Sequence, residues 1–290
     1  MKDLICLACN NHAHKGVWKG LDQPKVAVIG AGKMGEAIIG GLLKSKEYSP
    51  LEIQAVEVVE SRRQYISETY DVKCFHDVKR VVDFGDIVLL AVKPSIVGKV
   101  LEQIGPLMKG RKVLVSIAAG VTLEFMKKFM PTKIPIVRVM PNLACSVGEA
   151  MVTYCPAPNI TNEELTMVTG MLGLLGRTMR LDEKHLNLAT GLVGSGPAYI
   201  YVLIDALADA GVRLGLPKDV SITLAAQTTL GAAKMVVETG EHPIKLKDKV
   251  ATPAGTTVEG LLELERGGLR GTIISAVTKA AERARELLPA

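Results

Sequence analysis

From Pro24 to about Leu181 the chain alternates short apolar runs with segments in which apolar residues recur every three or four positions. The runs "KVAVIG", "EIQAVEV", "DIVLLAV", "KVLVSIA" and "PIVRVM" are rich in Val and Ile and predict buried strands. Between the first two, "KMGEAIIGGLLKS" places its apolar residues on one helical face. Strands and helices in alternation predict an α/β fold, a doubly wound parallel sheet covered on both faces.

After Leu181 the strand pattern stops and the rest reads as helix: "GPAYIYVLIDALADAGVRLG", "PKDVSITLAAQTTLGAAKMVVETG", "TTVEGLLELERGG" and "RGTIISAVTKAAERARELL". Several of these helices are apolar nearly all round, as helices are when buried in a core or between subunits. A hundred-odd residues of this kind would hardly bury themselves alone, so this half is expected to make a dimer. The expected organisation is therefore a disordered extension over residues 1–23, a sheet domain over 24–181 and an all-helical domain over 182–290.

Composition narrows the picture. Of the 290 residues 48% are hydrophobic and only 4% aromatic, which suits a globular protein with close-packed helices. The net charge of +5 is spread among acidic residues rather than gathered in a basic stripe, which argues against nucleic acid as a partner. "LNLATGLVGSGPAYIYVLI", Leu186 to Ile204, approaches membrane-spanning length, but its Gly-Ser-Gly-Pro centre reads as a loop feeding a soluble helix. The apolar run in "MKDLICLAC" is too short for a signal peptide, and five cysteines without an export signal point to free thiols in a reducing cytoplasm. Cys6, Cys9, His12 and His14 superficially resemble a zinc set, yet they fall too close together for the usual two-part site, and no metal is expected.

The strand "KVAVIG" runs straight into "GAGKMG", where Gly30, Gly32 and Gly35 have G-x-G-x-x-G spacing around Ala31, Lys33 and Met34. Gly30 allows the tight turn, Gly32 lets a pyrophosphate reach the backbone, and Gly35 lets helix and strand pack closely. The helix N-terminus offers its unpaired amides to the phosphates, so a Rossmann-type site for NAD(P)H is predicted. Glu57 ends the next strand, where an acid would bond the ribose hydroxyls of NAD; Arg62 and Arg63 follow and could hold the 2′-phosphate of NADP. The two signals oppose each other and leave the choice open. Three further strand ends face the same edge: Ala91, Val92, Lys93 and Pro94; "SIAAG" with Ala118; and Met140, Pro141 and Asn142.

"GAGKMGEAI", "AVKP", "SIAAGVT", "MPN", "GLVGSGPAY", "DALADAGVRLGLP", "AAKMV", "ETGEHP", "LKD" and "TPAGTT", in this order, closely resemble Δ1-pyrroline-5-carboxylate reductase over residues 24–288. The resemblance implies reduction of a cyclic imine to L-proline by NAD(P)H, the last step of proline biosynthesis, in a dimer or a ring of dimers. It also implies that Gly194, Ser195, Gly196 and Pro197 lie beside the imine, facing a late substrate loop across a subunit boundary. That loop is Thr252, Pro253, Ala254, Gly255, Thr256 and Thr257. Read by itself, Thr252-Pro253 fits an N-cap and first turn, and Thr256 with Glu259 fits a capping box; the loop then serves either as cap alone or as a carboxylate receptor. The resemblance favours the receptor, with the Thr257 side chain orienting the substrate. The family usually has Gly where Ala254 stands, so a positive φ there would strain the alanine.

No strong general acid is identified. His12 and His14 lie in the extension, and His76, His185 and His242 occupy no obvious donor position. An iminium can accept hydride without one, so proximity would supply most of the catalysis. Two alternatives share the two-domain or nucleotide-binding plan. A β-hydroxyacid dehydrogenase or other imine reductase would, in the first case, need a poised Lys or His, and a non-catalytic sensor would not need Thr257. Cys145 and Cys155 fall near the expected crevice without an assigned role, and Asp248 is expected to brace the late loop.

Overall fold

The computed structural model describes residues 23–286; the Cys6, Cys9, His12 and His14 cluster, and nearly all of the extension, lie outside them. Eight strands form one sheet: β1 (Val26–Ile29), β2 (Ile53–Val56), β3 (Lys73–Phe75), β4 (Ile87–Leu90), β5 (Val113–Ser116), β6 (Ile136–Met140), β7 (Ala150–Pro156) and β8 (Gly176–Arg180). Their order is β3-β2-β1-β4-β5-β6-β7-β8. Five of the strands match the apolar runs. The other three lacked a clear signal: β3 is 3 residues long, and β7 and β8 carry Thr, Tyr, Arg and other half-buried side chains.

The sheet departs from the all-parallel expectation at one place, where β7 pairs antiparallel with β6, Val137 opposite Pro156 and Met140 opposite Thr153. Only a short turn, Leu143–Val147, separates the two strands, too little for the crossover a parallel pair needs.

Alternation along the strands builds two layers. Val26 and Val28 join one core with Ile38, Ile39 and Leu42 of α1 (Lys33–Lys44), Ile66 of α2 (Glu60–Tyr70) and Met171 of α6 (Asn162–Gly173). Ala27 and Ile29 join the other with Val81 and Val82 of α3 (Val78–Phe84), Leu101 and Ile104 of α4 (Val97–Ile104) and Met126 of α5 (Leu123–Lys127). Because successive side chains face opposite sides, a strand buried on both faces must be apolar throughout, which is why the sequence showed runs instead of alternation.

The described residues divide into two compact units, 23–195 with 279–286, and Gly196–Thr278. The first therefore extends beyond Leu181: α7 (Glu183–Ala189), placed by sequence in the helical half, packs on β6 and β7. Arg138 fastens it there. This arginine is 1% exposed, pairs with Glu183 at 3.1 Å and donates to the Asn187 Oδ1 at 2.5 Å, while Glu183 also accepts from the Leu123 amide at 2.7 Å.

The second unit contains α8 (Gly196–Arg213), α9 (Lys218–Thr239), α10 (Pro243–Val250), α11 (Thr256–Arg266) and most of α12 (Leu269–Glu286). α8 and α9 pack together, yet α8 buries only Ala208, and α9 only Ser221 and Ala225. Two helical stretches, Glu183–Arg213 and Lys218–Thr239, are long and apolar enough to cross a membrane by length and composition. The Gly-Ser-Gly-Pro segment is not the loop expected. A π-helical turn, Thr190–Gly194, follows α7, and α8 starts at Gly196 with Pro197 in its first turn, where a missing N–H costs no helical bond.

Candidate functional site

The carboxyl ends of β1, β2, β3 and β4 open onto a cleft of about 850 Å³, within the size range of small-molecule sites. It lies where strand order reverses, with β2 and β3 to one side of β1 and β4 to the other, the place where open α/β sheets bind ligands.

The glycine loop is built for backbone contact. Gly30 has φ +97°, and a Cβ there would come within 2.7 Å of the Ala91 carbonyl oxygen. At Gly35 a Cβ would collide with the Gly30 carbonyl, so helix α1 could not sit so close to β1. Around Gly32, by contrast, a Cβ would meet no protein atom within 4 Å. Gly32 is the N-cap of α1 and supplies no side-chain cap, so the first-turn amides point outward without an intrahelical acceptor. This cradle, a bare glycine backbone leading into uncapped amides, fits a pyrophosphate.

Of the residues expected to bind the cofactor, Gly30, Gly32, Glu57, Ala91, Val92 and Lys93 line the cleft. Val58, Val59, His76, Asp77 and Ile96 line it too and were not anticipated in this role; His76 and Asp77 were hidden because the three-residue β3 just before them gave no readable signal. Ala31 is buried, and its backbone is committed: the amide donates to Glu57 at 3.2 Å and the carbonyl accepts from Arg62 Nε at 2.8 Å. Glu57 also accepts from the amides of Val58 at 2.8 Å and Val59 at 3.1 Å.

Neither Arg62 nor Arg63 lines the cleft. Arg62 pairs with Glu36, and Arg63 donates to the carbonyls of Glu57 and Val58, both at 2.9 Å. Burial by itself would raise the Glu36 carboxyl, but Arg62 and the hydroxyls of Tyr65 and Tyr70 outweigh it and hold the group below the ordinary carboxylate range.

Pro94, Ala118, Met140, Pro141 and Asn142 do not line the cleft, although they stand on the same sheet edge. Ala118 and Met140 are buried. The Asn142 amide holds structure at both ends, its oxygen accepting from Ala144 N at 3.2 Å and its nitrogen donating to the Val193 carbonyl at 3.2 Å. That second bond ties the end of β6 to the π-turn, where a Cβ on Gly194 would lie 3.5 Å from Met140 Sδ. Cys145 is a core residue whose thiol burial pushes up to about 12, and burial raises that of Cys155 as well; neither is set up to react.

In the second unit a helix does begin in the late loop, but with different caps from those the spacing suggested. Gly255 is the N-cap of α11, without a side-chain cap, so Thr256 and Thr257 are its first two residues and Glu259 falls one position past the capping-box site. Thr252 closes a turn instead, its carbonyl accepting from Gly255 N at 2.9 Å. Among the described residues the hydroxyls of Thr256 and Thr257 have no hydrogen-bond partner. Ala254 has φ +57°, the left-handed conformation its substitution for glycine made costly. Asp248 pairs with the adjacent Lys247 at 3.0 Å and makes no hydrogen bond to the loop. His242 caps α10, its Nδ1 accepting from Ile244 N at 3.2 Å.

A doubly wound sheet, a glycine cradle at the order reversal and an acid ending β2 define an NAD(P)-dependent oxidoreductase of Rossmann type. Its relatives make the class specific. The model for pyrroline-5-carboxylate reductase dimerisation matches residues 183–287, and that for NADP oxidoreductase, coenzyme F420-dependent, matches residues 25–120. The pyrroline-5-carboxylate reductases of Glycine max and Methanosarcina acetivorans are 42% and 39% identical, over 89% and 92% of this chain and 94% and 99% of theirs. Among solved structures, the Plasmodium falciparum pyrroline carboxylate reductase with NADP bound is 30% identical with a TM-score of 0.84, covering 92% of this chain and 99% of that one. The chain belongs to the pyrroline-5-carboxylate reductase family.

Proposed function

We propose that this protein reduces Δ1-pyrroline-5-carboxylate to L-proline, the closing step of proline biosynthesis, as a soluble, cytoplasmic, self-associated enzyme. The observation that carries the reading is the cradle at Gly30, Gly32 and Gly35, opening onto a cleft that would house a nicotinamide dinucleotide. When bound, NAD(P)H supplies the hydride that converts the protonated C=N bond into a secondary amine, the proton having entered with the iminium.

The chain's own residues bind and orient. The amides of Lys33 and Met34 hold the pyrophosphate, and Ala91, Val92 and Lys93 flank the cofactor from β4. Pro94, Ala118, Met140, Pro141 and Asn142, on the same sheet edge, complete the cofactor's surroundings. Thr256 and Thr257, at the uncapped start of α11, offer two amides and two hydroxyls to the substrate carboxylate, with the helix dipole favouring its charge. Thr252, Ala254 and Gly255 shape this receptor, and the family resemblance assigns Gly194, Ser195, Gly196 and Pro197 to the neighbourhood of the imine. No histidine is needed as an acid: His242 Nδ1 is already engaged as a cap.

The unit Gly196–Thr278 leaves Val202, Leu214, Leu224 and Leu230 more than half exposed, an apolar surface of the kind that self-association covers. A dimer is the smallest assembly that does this.

The test is oxidation of NADH and, separately, of NADPH by the purified protein with Δ1-pyrroline-5-carboxylate, followed at 340 nm. Steady turnover with either supports the assignment. Tight dinucleotide binding without turnover would move it to another cyclic imine or to a sensor.

A further inference from the structure

We propose that this chain selects NADH over NADPH, and that Glu57 makes the selection. The inference rests on the dinucleotide reading of the cleft, and goes beyond it to the chemistry recognised at the adenosine ribose. Glu57 directly follows β2, with its amide bonded to the Phe75 carbonyl of β3 at 3.0 Å, so it stands on the carboxyl edge of the sheet beside the glycine loop. A dinucleotide with its pyrophosphate on the α1 amides brings its adenosine ribose to this strand end.

The Glu57 carboxylate cannot swing away without loss. One oxygen takes the Ala31 amide of the glycine loop, and the other the amides of Val58 and Val59. Of roughly four acceptor positions on a carboxylate, three are then used, which leaves one for a ribose hydroxyl. A 2′-phosphate in the same place brings two negative charges against a fixed third, and needs a cation to offset them.

The cleft lining offers no arginine beside Glu57. Arg62 has its charge offset by Glu36 and its Nε on the Ala31 carbonyl; Arg63 keeps its charge but has its Nη1 turned onto the Glu57 and Val58 carbonyls, and neither side chain lines the cleft. The positions that follow Glu57 and do line it are Val58 and Val59, 70% and 53% exposed and without charge. Beyond them the rim carries His76 and a second acid, Asp77, which caps α3 by accepting from Lys79 N at 2.9 Å. Lys93 is the one lysine of the lining, and it belongs to the end of β4, on the far side of β1 from β2. Two strand spacings, about 10 Å, separate those strands.

The decisive measurement is titration calorimetry on the full chain with NADH and NADPH, and with adenosine 5′-monophosphate and adenosine 2′,5′-bisphosphate. NADH should bind at least about tenfold more tightly than NADPH, and the monophosphate more tightly than the bisphosphate. Equal affinities, or a preference for the phosphorylated member of either pair, would overturn the proposal. Neither comparison depends on turnover, so the preference can fail while the reductase assignment stands, and the reverse. Glu57→Gln keeps the length and one acceptor oxygen but removes the charge; it should narrow the NADH to NADPH ratio at least about fivefold, mainly by tightening NADPH. Val58→Arg leaves the Glu57 bonds untouched and should also tighten NADPH. A ratio unmoved by both substitutions removes Glu57 from the role.

Discussion

The two units of the chain have the same kinds of apolar residue and use them in opposite ways. In the sheet unit, Val, Ile and Leu of β1, β4 and β5 are covered from both sides by α1–α6, and every residue of those strands is buried. In the helical unit, α8 and α9 expose Val202, Leu224 and Leu230 while burying small residues where they meet. A core finished within one chain needs nothing further to be stable, whereas an apolar face left open marks an interface. The candidate cofactor cleft belongs wholly to the finished unit and the candidate carboxylate receptor to the open one, so binding of the two ligands should respond differently to assembly.

Charging the open face is the strongest way to test that difference. Val202→Asp combined with Leu224→Asp would bury two carboxylates in any interface these helices form, each costing several kcal/mol. Sedimentation velocity should show monomers where the unaltered protein associates, and turnover should fall at least about a hundredfold. Dinucleotide affinity should stay within about threefold. A comparable loss of cofactor binding would mean that the cleft, too, depends on assembly.

The converse experiment breaks the finished unit. In Gly35→Ala the new methyl meets the Gly30 carbonyl, and α1 must shift away from β1. Overpacking of this kind costs about 1–3 kcal/mol, and displacement of the α1 amides should weaken dinucleotide binding by roughly tenfold to a hundredfold in a calorimetric titration. Association state should not change. Monomers in this variant would couple the cradle to the helical interface and undo the comparison.

The sheet unit was the more legible of the two because its pattern is redundant. The runs beginning at Val26, Ile87 and Val113 are buried on both faces, and the glycine spacing is forced by backbone collisions that the structure reproduces at Gly30 and Gly35. What the sequence hid there depends on pairing partners. β3 is too short to show a period, and β7 and β8 are half-polar because they approach the sheet edge. The roles of Arg62 and Arg63 were hidden for a similar reason, since Glu36 and the carbonyls that occupy them lie up to 31 residues away in the chain. In the helical unit the elements were readable but their junctions were not. Gly-Ser-Gly-Pro suggests a loop by composition, and the chain passes through it as a π-turn and the start of α8.

Thr257→Ala sharpens the comparison from the substrate's side. A hydroxyl bonded to a charged carboxylate contributes about 1.5–3 kcal/mol, so KM for the pyrroline carboxylate should rise roughly tenfold to a hundredfold. Affinity for the dinucleotide should be unaltered, because Thr257 belongs to the other unit. Unchanged KM and kcat would take the carboxylate role away from this loop and leave Thr257 as a simple first-turn residue of α11.

Ala254→Gly should have the smallest effect, and of the opposite sign. At φ +57° alanine suffers about 1–2 kcal/mol of crowding between its Cβ and the backbone, which glycine lacks. Glycine in turn gains freedom in the unfolded chain, worth about 0.4–1 kcal/mol, so the net stabilisation should be about 0.5–1 kcal/mol, a rise of roughly 1–4 °C in Tm. If the strain is merely tolerated, KM for the pyrroline carboxylate will not move. If it instead preorganises the turn from Thr252 to Gly255 and aims the α11 amides, the same variant will be more stable and yet bind substrate less well. Thermal melting and a KM measurement on one protein separate these outcomes, and only the second would make the strain at Ala254 part of how the receptor works.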